Sequence, residues 1–183
     1  MAATGHSAVI LDDAVLTRGT GSFENNYQLR LTQSIQLRGL GLFEIRIVRD
    51  QTDFSLFQFT AIGIAELMAL YTAPFGTEMN AAYVTSHTQL AGNGGPPYSG
   101  TATIPVGGSR YFSYWDGFFP PPTDTDNYGW ILISNQAGVL SAQSGVTALS
   151  SGIIVGTTTQ VPEASSLFLA SLAGLGFFAR RRR

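Results

Sequence analysis

The chain has 183 residues, 44 % hydrophobic and 12 % charged, and without its last 23 residues it is still long enough for one domain with a sizeable core. Residues 1–160 carry eleven carboxylates against six arginines, a net charge of −5, so no basic stripe exists to displace counterions from phosphates and nucleic acid is excluded as a partner. There is no cysteine, which removes disulfides, thiolate metal sites and thiol nucleophiles and leaves the body to be held by its hydrophobic core.

Met1 to Gly5 contains no Arg or Lys, and the apolar stretch Ala8 to Leu11 is interrupted at once by Asp12 and Asp13. That is not the basic-then-apolar pattern of a signal peptide, and the expectation is that such a segment is encoded upstream of Met1. From Val9 onward the sequence reads as strand after strand. Tyr27 to Leu37 alternates: Tyr27, Leu29, Leu31, Ile35 and Leu37 on one face, Gln28, Arg30, Thr32, Ser34 and Gln36 on the other. Period two with polar partners predicts a strand with one buried and one wet face. After the turn Gly39 to Gly41 the pattern returns in Phe43, Ile45 and Ile47 against Glu44 and Arg46, and again in Phe54 to Phe59.

Ile62 to Tyr71 fits helical spacing through Ile62, Leu67, Met68 and Tyr71 and fits a strand equally well. Ala81 to Leu90, Thr101 to Val106, Arg110 to Phe118, Tyr128 to Ser134, Val139 to Gln143 and Gly152 to Thr158 are predicted strands. The turn-rich stretches Gly92 to Pro97, Gly107 to Ser109, Pro120 to Asn127 and Asn135 to Gly138 separate them. About ten short strands without intervening helices predict an all-β fold, an antiparallel β-sandwich or jelly roll.

The chain contains no G-x-S-x-G, Walker loop, H-E-x-x-H or G-x-G-x-x-G. His6 and His87 stand alone, and His87, in a predicted strand, reads as a surface residue. Asp12 and Asp13 are adjacent, so in a strand they face opposite ways and form no acid/base pair. Asp124, Asp126 and Asn127 offer oxygens, but the spacing lacks the third acidic position and the bidentate Glu of a Ca²⁺ loop, and a solvated turn is the simpler reading. The expectation is a protein that is not an enzyme and uses no metal or cofactor.

The run Arg110 to Pro122 is rich in aromatics. Tyr114, Trp115, Asp116, Phe118 and Phe119 form a candidate sugar-binding set, since aromatic faces beside a carboxylate stack on and hydrogen-bond a sugar ring. The structural alternative is a central strand with Tyr111, Ser113 and Trp115 on one side, Phe112 and Tyr114 in the core, and Phe118 and Phe119 covering a sheet end.

The last stretch has three parts in fixed order: a polar Pro-Glu turn (Val161 to Ser166), an apolar run (Leu167 to Ala179) and four arginines (Arg180 to Arg183). Proline is excluded from a helix interior but suits the residue before one, so a single hydrophobic helix is predicted to follow Pro162. Fifteen residues from Ser165 to Ala179 make about 22 Å of helix against about 30 Å of hydrocarbon, and snorkelling arginine stems lengthen the usable segment. The arginines would stay on the cytoplasmic side and leave residues 1–160 outside. A helix packed into the domain core and ended by solvated charge is the alternative.

This order resembles the PEP-CTERM sorting signal of bacterial exported proteins, a C-terminal tag handled by the membrane protease-transpeptidase exosortase. Val161, Pro162, Glu163, Ser165 and Ser166 match the usual Val-Pro-Glu-Pro-Ser-Ser opening, Ala164 stands in place of the second proline, and Arg180, Arg181, Arg182 and Arg183 supply the cluster. Asn127 to Leu132 (NYGWIL), with Gly152 to Thr159 (GIIVGTTT) directly before the signal, is similar to the end of many tagged β-sandwich proteins. The resemblance implies an exported body, residues 1–160, and a signal, residues 161–183, with the membrane and an exosortase-type enzyme as partners. The protein would be anchored transiently in the inner membrane and then reach the cell surface or extracellular matrix as a structural or adhesive component. A carbohydrate-binding module for extracellular polysaccharide, using the aromatic run, is the alternative function.

Overall fold

The structure is a computed structural model that describes residues 9–11, 14–31, 43–62, 67–92, 96–117, 127–149 and 152–159. The strands are β1 (Val9–Leu11), β2 (Ala14–Arg18), β3 (Asn26–Leu31), β4 (Phe43–Arg49), β5 (Leu56–Ala61), β6 (Leu67–Thr72) and β7 (Glu78–Met79). Helix α1 (Ala81–Ser86) follows, then β8 (Ala91–Gly92), β9 (Ser99–Thr103), β10 (Gly108–Gly117), β11 (Asn127–Gln136), β12 (Val139–Leu149) and β13 (Ile153–Ile154). Among the described residues, one sheet runs β1-β12-β11-β10-β6-β8 and a second β2-β3-β4-β5-β9, and β13 pairs with β7 apart from both. Every pairing is antiparallel.

The alternation seen in the sequence sets the inner face of the five-stranded sheet. Tyr27 and Leu29 of β3, Ile45 and Ile47 of β4, and Phe57 and Phe59 of β5 are buried, while Gln58 between the last pair is exposed. These side chains form one cluster with Leu70, Phe112, Tyr114, Ile131 and Ile133 of the six-stranded sheet, so the two sheets pack face to face. Phe59 and Phe112 meet across the interface with ring centroids 4.9 Å apart.

The six-stranded sheet is buried on its other face too. There Ala69, Tyr71, Trp115, Tyr128 and Trp130 pack with Met79, Val84, Ile153 and Val155 in a second cluster. A third layer, made of β7, α1 and the segment around β13, therefore covers this sheet, and β10 and β11 are central strands covered on both faces. Tyr114 and Gly129 are direct partners across β10 and β11. A Cβ on Gly129 would stand 2.2 Å from the Tyr114 ring, so the ring lies over the bare glycine backbone.

One end of the sheets is tied together by Asn135 and Arg49. Buried Asn135 donates through Nδ2 to the Phe54 and Ile104 carbonyls (2.9 and 2.8 Å) and accepts from Gly138 N–H (2.8 Å). Arg49 donates to Gly138 O at 3.0 Å and to Asn25 Oδ1, and its guanidinium lies 4.6 Å from the Phe54 ring centroid. Tyr27 Oη donates to the same Gly138 carbonyl at 2.8 Å, joining the two sheets.

Two expectations need amending and one open reading is decided. Ala81 to Leu90 is not a strand: Ala81–Ser86 is α1, because Asn80 accepts from Tyr83 N–H at 3.0 Å as its N-cap. The hydroxyls of Thr85 and Ser86, which look β-like in sequence, bond back to the Ala81 and Ala82 carbonyls at 3.0 and 2.6 Å. His87 accordingly caps a helix; it is exposed, as expected, and stacks on Tyr83 at 3.8 Å. Gly152 to Thr158 is a strand only over Ile153–Ile154 and then turns. Ile62 to Tyr71, open between helix and strand, is a strand from Leu67. The expectations for residues 32–37 and for the C-terminal helix lie outside the described residues.

Candidate sorting signal and the strap that leads to it

The described chain ends in a strap, residues 152–159, laid on the outer face of the six-stranded sheet. Ile153 and Ile154 pair with Met79 and Glu78. Val155 N–H donates to Thr77 O at 2.8 Å, and Val155 O accepts from Gly76 N–H at 2.9 Å. Ile153 and Val155 are fully buried beneath. Glycine is required at both ends of this apolar triplet: Gly152 and Gly156 have φ of +76° and +82°. A Cβ on Gly156 would also lie 2.3 Å from the Phe75 ring.

Beyond Gly156 the strap closes on itself. Thr157 donates to Ile154 O through N–H (3.0 Å) and Oγ1 (2.9 Å), while Thr159 N–H donates to Thr157 Oγ1 (3.0 Å). Ile154 N–H donates to Thr159 O at 2.9 Å. Trp130, in the middle of β11, donates its indole N–H to Thr157 O at 2.8 Å and so ties the sheet to this last turn. The segments NYGWIL (Asn127 to Leu132) and GIIVGTTT (Gly152 to Thr159) are thus in direct contact, the second of them ending next to Gln160.

The candidate sugar-binding residues are placed differently from one another. Tyr114 and Trp115 are neighbours on opposite faces of β10, packed in separate clusters with 4 and 3 % of their surface exposed. Both sides of β10 are therefore covered at this point, and neither ring presents a face to solvent. The Asp116 backbone is paired with Met68 and Asn127, while Phe118 and Phe119 lie outside the described residues. Asn127 of the weighed oxygen set opens β11, buried; Asp124 and Asp126 are outside the described residues.

Ordered carboxylates occur instead in a turn that no sequence motif marks. Asp50 Oδ1 accepts from Asp53 N–H (2.9 Å), Thr52 N–H (2.8 Å) and Thr52 Oγ1 (2.8 Å), and these donors, the Asp53 amide first, hold its carboxyl below the usual range. Asp53 Oδ1 accepts from Ser55 Oγ (2.6 Å) and Ser55 N–H (2.8 Å), which lower it likewise. A shallow polar groove of ≈ 470 Å³ adjoins this turn, lined by residues including Asn25, Asn26, Arg49, Asp50, Gln58 and Thr101. Its two charged side chains, Arg49 and Asp50, are already engaged by the turns around them. Among the described residues no three His, Asp or Glu side chains are grouped to hold a metal ion.

Among the described residues no helix is long and apolar enough to cross a membrane. Every residue predicted for the signal, Val161 to Ser166 and Arg180 to Arg183, lies outside them. No curated protein and no solved structure matches the chain. Residues 160–183 match the family model of the PEP-CTERM protein-sorting motif, so the chain carries that motif directly after the strap's closed turn.

Proposed function

We propose that this is a non-catalytic exported protein whose β-rich body is carried to the cell surface or extracellular matrix by its C-terminal signal and serves there as a structural or adhesive component. The observation that carries the reading is the sorting motif at residues 160–183. In this reading Leu167 to Ala179 is a transient membrane anchor, Arg180 to Arg183 hold its end on the cytoplasmic side, and Val161 to Ser166 is the turn met by an exosortase-type enzyme. The sequence order is suited to this: a proline before an apolar helix, then a cationic stop. A body whose two large sheets pack face to face, with a third layer over the six-stranded one, suits a part that must persist after release from the membrane.

Expression in a host that has exosortase tests the proposal. The mature surface protein is expected to lack Arg180 to Arg183, and replacing the four arginines by Ala is expected to misorient or mislocalise the chain. Mass spectrometry showing a mature protein that still ends in Arg183 would overturn the processing reading.

A further inference from the structure

Among the described residues four strands end the two large sheets. β1 and β8, at the edges of the six-stranded sheet, are three and two residues long, and β2, at one edge of the five-stranded sheet, lies against β12. The fourth, β9, is five residues long, reads Ser-Gly-Thr-Ala-Thr without a charge or a proline, and pairs with β5 alone among the described residues. Very short strands, charged side chains and prolines are what keep sheet edges from pairing with other chains, and β9 has none of these.

The phase of β9 follows from its bonds. Ala61 N–H donates to Tyr98 O at 3.3 Å and Ile104 N–H to Ser55 O at 2.8 Å, so the even-numbered residues from Tyr98 to Ile104 turn their backbone groups toward β5. Ser99, Thr101 and Thr103 therefore turn theirs outward. Side chains close the two ends of this outward row: Gln89 Nε2 donates to Pro97 O at 3.1 Å and Arg110 Nη1 to Thr103 O at 2.9 Å. A groove of ≈ 370 Å³ adjoins the strand, lined by residues including Leu90, Thr101, Ala102, Thr103 and Arg110.

The open stretch is symmetric about Thr101. Laid antiparallel on a second copy of itself, it sets Thr101 opposite Thr101 and Ser99 opposite Thr103, and each of these residues presents an N–H and a C=O to its partner. The Thr103 carbonyl has a second lone pair for this, beside the one that Arg110 uses. The exposed side chains of Ser99, Thr101 and Thr103 are uncharged, so no like charges meet, and hydroxyl pairs across such a ladder are favourable. The same two-fold brings the Tyr98 end of one copy to the Val106 end of the other, and these two apolar side chains are 60 and 54 % exposed.

We propose that β9 is a self-association edge, on which two copies of this chain pair antiparallel about a two-fold axis at Thr101 and join their five-stranded sheets into one. An edge of five residues buries less than a standard interface, which takes about 800 Å² from each partner, so the association is weak, with a dissociation constant of about 10 μM to about 1 mM. It closes at two copies, because a two-fold pairing uses up the edge. The pairing belongs to the body and does not depend on how the tail is processed.

Sedimentation of the full chain in non-ionic detergent, over a concentration series, measures dimer formation, and hydrogen exchange at low and high concentration locates it. The unsubstituted chain is expected to dimerise, with amides 99–103 gaining protection as it does. Thr101→Glu and Thr101→Arg each set two like charges face to face and should weaken self-association tenfold or more, while an equimolar mixture of the two should dimerise at least as well as the unsubstituted chain. Thr101 is exposed, so both variants should keep the urea midpoint of the unsubstituted chain. A chain still monomeric at about 1 mM, the weak end of specific binding, overturns the proposal. A dimer that forms with no gain of protection over 99–103 overturns it as well and places the contact elsewhere, and this measurement needs no variant to fold. Folded single variants that dimerise like the unsubstituted chain, or a mixture of them that does not recover, overturn the axis at Thr101.

Discussion

Gly129→Ala probes the centre of the fold with one methyl group. The added Cβ would lie 2.2, 2.3 and 2.4 Å from Cζ, Oη and Cε1 of Tyr114, far inside van der Waals contact. The ring has nowhere to swing: Tyr114 is 4 % exposed and packed in the cluster that joins the two sheets. Overpacking a core costs about 1–3 kcal/mol, and with both partners fixed on central strands we expect the top of that range, about 3 kcal/mol. Tyr114→Ala alone should cost about 4 kcal/mol through its cavity. In the double variant the methyl added at position 129 enters space the ring has left, so the pair should cost about what Tyr114→Ala costs by itself, a coupling of about 3 kcal/mol. Combining Gly129→Ala with Tyr114→Phe keeps Cζ in place and should give no relief. Urea melts of a chain ending at Gln160, which keeps both core clusters, measure all of these variants against the unsubstituted body. At an m-value of about 2 kcal/mol/M, Gly129→Ala should move the midpoint down by about 1.5 M. Additive losses in the Gly129→Ala, Tyr114→Ala pair, within about 0.5 kcal/mol, would show that the ring does not lie over Gly129 and would refute the β10–β11 register.

Phe57→Asp and Gln58→Asp put the same carboxylate on the buried and the exposed face of β5; the first should cost several kcal/mol and the second stay within about 0.5 kcal/mol, and equal losses in urea melts would refute the facing of that strand. Asn135→Ala leaves Gly138 N–H and the Phe54 and Ile104 carbonyls without their partner and should cost about 4 kcal/mol. Asn135→Asp should be no better at neutral pH, because it keeps the acceptor but sets a carboxylate against two carbonyls. Burial, with a smaller contribution from Tyr83, pushes the Tyr71 hydroxyl up to about 12 from an ordinary value near 10. Its raised value favours the fold fully below about pH 10 and that stability is lost as pH rises toward about 12, so urea midpoints should fall between pH 10 and 12, alongside a late phenolate transition at about 295 nm; a flat midpoint would refute the burial of that hydroxyl.

The elements that the sequence determined by itself are those whose physics is local. Tyr27 and Leu29, Ile45 and Ile47, and Phe57 and Phe59 alternate with polar neighbours because their sheet has one wet face, and that single asymmetry is enough to assign strand, facing and core. The sorting signal is legible for a similar reason: a proline turn, an apolar run and a cationic end act through composition and order along the chain. What only the tertiary structure decided is the third layer. The segment after β6 and the strap return over the six-stranded sheet from positions far apart in sequence, and they bury Trp115, Tyr128 and Trp130, whose side of the sheet looks open when β10 and β11 are read alone. The same double burial explains why Ile62 to Tyr71 fitted two periods: Leu70 faces one core while Ala69 and Tyr71 face the other, so apolar residues fall on both sides of the strand and the alternation disappears. At Ala81 the Asn80 side chain outweighs a β-like composition by supplying an acceptor that a strand would not use. A residue's face is set by its own strand, but whether that face is wet is set by what the rest of the chain lays upon it.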